Sequence, residues 1–130
     1  MPLLGDVFGD HAVLQRDAPV RVWGTAVPGE TVAVAMAGGS AEGVADAAGR
    51  WSAALPALPA GGPYVLSARA GSGASQTVED VFVGDVFLCT GQSNMVLPVS
   101  RTLHPPTEAR RATDDRIRML TIPLASSPAP

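Results

Sequence analysis

Turn-forming residues interrupt this sequence so often that short strands, rather than long helices, are expected. The chain has 14 Gly and 12 Pro among its 130 residues. Between the turns at residues 27–30 and 46–49, positions 31–36 place Val32, Val34 and Met36 on one face, the two-residue period of a strand. Such strands recur without a helical period, which predicts an antiparallel β-sandwich over residues 1–79.

Three aromatic side chains fall within the strand patterns of this region. Trp23, Trp51 and Tyr64 are expected to anchor the core, because large aromatic side chains bury the most surface per residue. The alternative is that the two tryptophans form a platform on which a saccharide stacks. Their position in strands rather than loops favours the core interpretation.

The pattern changes after the Gly-Ser-rich hairpin tip at residues 71–75. Residues 81–89 are almost continuously apolar, which is typical of a strand buried on both faces. A helix is predicted over 107–113 and another strand over 117–122, and together these make a βαβ unit. The predicted fold class is therefore mainly β, with the sandwich followed by the start of an α/β domain over residues 80–130. A parallel sheet needs more strands than these residues supply, so we expect that domain to be incomplete.

Charge and composition exclude several classes of function. The nine cationic residues are all Arg, against 12 acidic residues, and they form no basic face for nucleic acid. No apolar run approaches the roughly 20 residues that span a bilayer, and no leader pattern begins the chain. Cys89 is the single cysteine, expected in the core, and the two His residues have no metal-ligand spacing. No metal, cofactor, nucleic-acid or membrane partner is expected, and the pattern favours no particular oligomeric state or compartment.

The chemistry-bearing segment is residues 91–94, which follow the predicted buried strand. Ligand crevices in α/β sheets lie outside the carboxyl ends of strands, where a turn can present the Ser93 hydroxyl beside backbone N–H groups. Gly91 would let the backbone turn tightly. However, the second Gly of a G-x-S-x-G elbow is missing, and a Ser here can equally cap a helix. On spacing alone, nucleophile and helix cap both stay open.

Residues 83–95, with the sequence VGDVFLCTGQSNM, resemble the nucleophile block of the sialate O-acetylesterase family, serine esterases of the SGNH-hydrolase type. Residues 7–24 resemble the opening β-domain of that family, and 46–51, 60–64 and 117–118 continue the match in order. The resemblance implies that Ser93 is the nucleophile and that its backbone N–H belongs to the oxyanion hole. Gly91, Gln92 and Asn94 are expected to shape the turn or to contact substrate. Two positions depart from the pattern: Ala12 stands where Met is usual, and Val96 where a polar residue commonly follows.

The chemistry implied by the resemblance is acyl transfer. Ser93 would attack the acetyl carbonyl of an O-acetylated saccharide, sialic acid or a related sugar, and water would then release acetate from the acyl-enzyme. The family's catalytic His and acid lie farther downstream than this chain extends, and neither His11 nor His104 is expected to replace that base. We therefore expect an SGNH-like domain that begins at residue 80 and is inactive by itself. Family members are commonly exported.

A rival hypothesis belongs to a different class of function. It is a non-catalytic β-sandwich module that binds carbohydrate through Trp23 or Trp51. In that case Ser93 would have no role.

Overall fold

The structure, a computed structural model, describes residues 2–123, and the chain separates into two compact units that divide after Val86. The first unit contains all seven strands of the described residues: β1 Val13–Gln15, β2 Val20–Thr25, β3 Thr31–Met36, β4 Gly39–Val44, β5 Arg50–Leu55, β6 Gly61–Ala70 and β7 Ser75–Gly84. Up to residue 123, the second contains two 3-10 turns, Ser93–Val96 and Val99–Arg101, and one helix, α1 Pro105–Arg111. The prediction of a mainly β chain is confirmed.

The strands form two sheets around one core. One sheet has the order β1-β7-β6-β3-β4, and the other consists of β2 and β5. Strand pairs are antiparallel except for β1, which runs parallel to β7 with Leu14 opposite Val83. The larger sheet is therefore mixed rather than wholly antiparallel as predicted. Parallel pairing requires a long connection between the two strands. This is possible here because β1 is the first strand of the unit in the sequence and β7 is the last.

Alternation along the strands determines which side chains enter the core. Val32, Val34 and Met36 of β3 are buried, as their spacing predicts. In the smaller sheet, Val22 lies opposite Ala53 and Gly24 lies opposite Trp51, and all four of these positions are buried. Val20 and Leu55, a third opposed pair, are buried as well. The alternate residues of β2 and β5 make up an outer face away from that core.

The predicted turns are present and use the expected residue types. Gly29 and Gly49 have φ angles of 81° and 77°, which suit glycine because it lacks a Cβ. The Gly49 N–H donates to the Asp46 carbonyl oxygen at 2.9 Å. The Asp46 carboxylate accepts from the N–H groups of Ala48 and Arg50, both at 2.9 Å. This side chain therefore closes the turn into β5.

The apolar run at 81–89 does not form one continuous strand. Its first four residues complete β7, whose Val81 and Val83 are buried in the sandwich core. Phe87 and Leu88 lie outside any strand and are exposed. Cys89 is also exposed, so its predicted burial is wrong. The first part of the run packs into the sandwich core. Beyond Gly84, the described residues offer no strand with which the run could pair.

The second unit contains the predicted helix but not the predicted strand after it. Pro105 and Pro106 lie in the first turn of α1, where a missing N–H costs nothing. Within the described residues, positions 117–122 form no strand, so no βαβ unit is completed there. The predicted boundary at 79–80 falls inside β7, and the assignment of residues 80–130 to an SGNH-like domain stays a prediction. In the described part of the chain, no helix is long and apolar enough to span a bilayer.

Candidate active site

Ser93 is the first residue of a 3-10 turn that ends at Val96. Gln92 occupies the N-cap position and makes no side-chain capping bond, while its carbonyl oxygen accepts from the Met95 N–H at 2.9 Å. Ser93 therefore does not cap the helix, which was the alternative role for its hydroxyl. The side chains of Gln92, Ser93 and Asn94 are all exposed, so the turn presents its polar groups to solvent.

Gly91 sets the direction from which the chain enters this turn. Its φ angle is 158°, in the region that side-chain-bearing residues rarely adopt. A Cβ at this position would also collide with the Met95 side chain, which folds back over Gly91. Both the backbone angle and the packing of Met95 therefore favour glycine at position 91.

No acid–base partner accompanies Ser93 among the described residues. Its hydroxyl makes no hydrogen bond to an imidazole or carboxylate in residues 2–123. His104 lies outside the turn, as the left-handed N-cap of α1. In the first unit, His11 Nδ1 is 2.6 Å from Asp80 Oδ2. Both His residues therefore occupy other local roles, and the same described residues contain no cluster suited to a metal ion.

The segment that follows β7 is bonded to the end of β1. Gln15 Oε1 accepts from the Val86 N–H at 3.1 Å, and the Arg16 N–H donates to the Gly84 carbonyl at 2.9 Å. Arg16 Nε also lies 3.7 Å from Asp85 Oδ1. Asp85 therefore interacts with a residue at the end of a neighbouring strand. These bonds hold the backbone of residues 84–86 against β1.

One carboxylate of the second unit, that of Asp114, has a pKa well below its usual value. Arg116 donates to Asp114 through Nε at 2.9 Å and through Nη2 at 2.8 Å. These bonds, reinforced by the Arg116 backbone N–H, lower the pKa of Asp114 to about 2. An acid that is ionised at neutral pH cannot donate a proton. Asp114 therefore stabilises its own turn, whose Ile117 N–H donates to the Asp114 carbonyl at 3.1 Å.

Sequence reasoning missed one exposed aromatic residue. Trp51 is buried, whereas Trp23 is 45% exposed, so the core prediction holds for Trp51 and is wrong for Trp23. Tyr64 is half-buried and packs against the core. In β2, Trp23 lies on the same face as the polar residues Arg21 and Thr25. Their polarity was the signal in the sequence that Trp23 faces outward.

Comparisons with known proteins agree on one family. The sialate O-acetylesterase of Mus musculus is 30% identical over 129 residues, covering 91% of this chain and 24% of that protein. The protein of the same name from Homo sapiens is 31% identical over 132 residues, with 88% and 24% covered. No protein-family model matches.

The fold comparison adds a solved structure. A carbohydrate acetylesterase from Xanthomonas citri superposes with a TM-score of 0.77 at 44% identity, covering 88% of this chain and 26% of that one. The chain thus spans about a quarter of the length of these proteins. Over the part that is matched, the chain belongs to the sialate O-acetylesterase family.

Proposed function

We propose that this chain is the nucleophile-bearing part of a serine carbohydrate O-acetylesterase. Ser93 attacks the acetyl carbonyl of an O-acetylated sugar, sialic acid or a related saccharide, and forms an acyl-enzyme that water hydrolyses. The observation that carries the proposal is the exposed Ser93 at the start of a tight turn, in a chain related to named acetylesterases. An exposed hydroxyl meets the first requirement for a nucleophile, which is access to its substrate.

The turn also suits the second requirement, stabilisation of the oxyanion. Within the turn, the Met95 N–H donates to the Gln92 carbonyl oxygen. The Ser93 and Asn94 N–H groups lie at the beginning of a 3-10 helix, where backbone donors have no partner inside the helix. Such groups stabilise the negative charge that develops on a carbonyl oxygen. We assign the Ser93 N–H to this role, and Gln92 and Asn94 to contact with the substrate.

These 130 residues alone are proposed to have negligible esterase activity. A serine hydroxyl needs a base to accept its proton, and none is bonded to Ser93 in residues 2–123. Loss of triad members lowers kcat by about 10⁴ to 10⁶ in serine hydrolases. Steady hydrolysis of an aryl acetate by the 130-residue chain, abolished by Ser93→Ala, would contradict this part of the proposal.

A chimera tests the nucleophile directly. The matched quarter of the Xanthomonas citri acetylesterase is replaced by residues from this chain, which is feasible at 44% identity. The chimera should hydrolyse an acetylated carbohydrate, and Ser93→Ala should lower kcat by at least about 10⁴. Ser100→Ala is the matched control, because Ser100 is also exposed in a neighbouring 3-10 turn. A chimera that keeps its activity with Ser93→Ala would falsify the assignment.

A further inference from the structure

We infer that the outer face of β2 and β5 carries a second binding site, for a neutral pyranose sugar, centred on Trp23. This site is on the sandwich and does not depend on Ser93. Trp23 lies directly opposite Ser52, and Thr25 lies opposite Arg50. These side chains line an open groove that is continued by Asp6 and Asp46.

The Trp23 ring is held in place although it is exposed. Its ring centroid is 4.6 Å from that of Phe8, at an interplanar angle of 73°, and Phe8 is itself buried. Gly5 packs close to the indole on its nitrogen side, since a Cβ at Gly5 would lie 2.9 Å from Trp23 Nε1. A ring that is already oriented loses little conformational entropy when a ligand stacks on it.

Trp23 differs from Trp51 in what its indole N–H does. Trp51 Nε1 donates to the Leu3 carbonyl at 3.0 Å. Within residues 2–123, Trp23 Nε1 has no protein acceptor. The groove therefore offers an aromatic surface with an available donor at its edge, the combination that suits a ligand with one apolar and one hydroxylated side. A pyranose ring has both, in its C–H face and its equatorial hydroxyls.

Polar side chains line the groove beside the Trp23 ring. Asp6 belongs to the turn closed by the Phe8 N–H and the Gly5 carbonyl at 2.9 Å. Arg50 Nε donates to Asp46 at 3.2 Å. Carboxylate and guanidinium groups make charge-assisted hydrogen bonds to hydroxyls, which are stronger than bonds between neutral groups. The described part of the groove thus resembles a small-molecule site, with one apolar platform and a few convergent polar groups.

The charges select among sugars. The groove is lined by two carboxylates, Asp6 and Asp46, and by one guanidinium, Arg50. Its net charge is negative, so the carboxylate of a sialic acid would be repelled. The preferred ligand is therefore a neutral pyranoside, in contrast to the acidic sugar in the name of the relatives.

Ligand-observed saturation-transfer NMR tests this inference on the 130-residue chain. The probes are the methyl β-pyranosides of glucose, galactose and xylose, with N-acetylneuraminic acid as the anionic comparison. We expect saturation of the ring C–H protons of at least one neutral pyranoside and little for the acid. Trp23→Ala should weaken binding at least about tenfold, because the stacking surface is lost. Val65→Ala, which shortens an exposed side chain on β6, should have no effect.

Two further variants keep the result decisive. If Trp23→Ala does not fold, Trp23→Phe and Asp6→Asn must each weaken binding severalfold, since Asp6 is exposed and its change leaves the core intact. Unchanged binding in those variants, or preference for N-acetylneuraminic acid, would overturn the inference. Self-association of the chain that Trp23→Ala abolishes would overturn it too, by making this face a protein interface. Ser93→Ala should leave sugar binding unchanged, so failure of the esterase proposal and failure of this one are distinguishable.

Discussion

The indole N–H of Trp51 donates a buried 3.0 Å hydrogen bond to the backbone carbonyl of Leu3. The same carbonyl accepts from the Thr25 N–H at 3.2 Å. Leu3 and Leu4 are buried with Trp51 in the sandwich core. A segment outside any strand is thus fastened to both strands of the smaller sheet.

Replacing this indole should destabilise the sandwich. Trp51→Phe removes a buried hydrogen bond and leaves unfilled volume, so we expect the free energy of unfolding to fall by about 2–4 kcal/mol. Urea unfolding followed by circular dichroism measures this change. Trp23→Phe is the matched control, with an expected cost below about 1 kcal/mol because Trp23 is half-exposed. Equal costs for the two variants would contradict the assignment of Trp51 alone to the core.

Gly24 is required by the close approach of the Leu3 backbone. A Cβ at Gly24 would overlap the Leu3 carbonyl group, which is backbone and cannot move independently. Gly24→Ala should therefore lower the free energy of unfolding by about 1–3 kcal/mol or more. Gly9→Ala is the control, because nothing lies within 4 Å of a Cβ at that position. The measurement is the shift in Tm, and a Tm for Gly24→Ala equal to that of Gly9→Ala would be inconsistent with the structure.

Two turn carboxylates should make the sandwich sensitive to acid. Hydrogen bonds from Ser72 lower the pKa of Glu30, with the Ser72 N–H donating to Glu30 Oε1 at 2.7 Å. The Arg50 backbone N–H similarly lowers the pKa of Asp46. A folded-state pKa below the unfolded value contributes stability that is complete above the unfolded pKa, about 4 for both residue types. That stability is lost as the pH falls through the lower folded value.

The expected observation is a decrease in Tm as the pH is lowered from about 5 to about 3. Glu30→Gln and Asp46→Asn should each lower Tm at neutral pH and flatten this dependence. Glu42→Gln provides the comparison, because Glu42 is an exposed side chain on β4. If all three variants keep the parent pH profile, these hydrogen bonds do not contribute to stability.

The second unit should cause self-association of the isolated chain. Phe87, Leu88, Leu103 and Met119 are each more than four-fifths exposed, and exposed apolar surface of this kind promotes aggregation. Sedimentation velocity at increasing concentration should show larger species. The double change Phe87→Ser and Leu88→Ser should reduce them, whereas Val65→Ser on the sandwich should not. A monodisperse parent chain at all concentrations would rule this out.

Strands β2, β3 and β5 and the turns at 29 and 49 could be predicted from sequence, because period-two alternation and glycine in turns are local properties. The tight turn around Ser93 was likewise visible in residues 91–95. Its role as nucleophile came from resemblance rather than spacing, and it stays a prediction.

Tertiary structure decided what local patterns leave open. Alternation says that Trp23 and Val22 face opposite ways, and the packing of β2 against the common core decides that Val22 is the buried one. The run at 81–89 satisfies the pattern of a buried strand throughout, yet only the portion paired with β6 and β1 becomes one. Burial and strand pairing depend on residues distant in the sequence, and for that reason a neighbourhood of ten residues does not specify them.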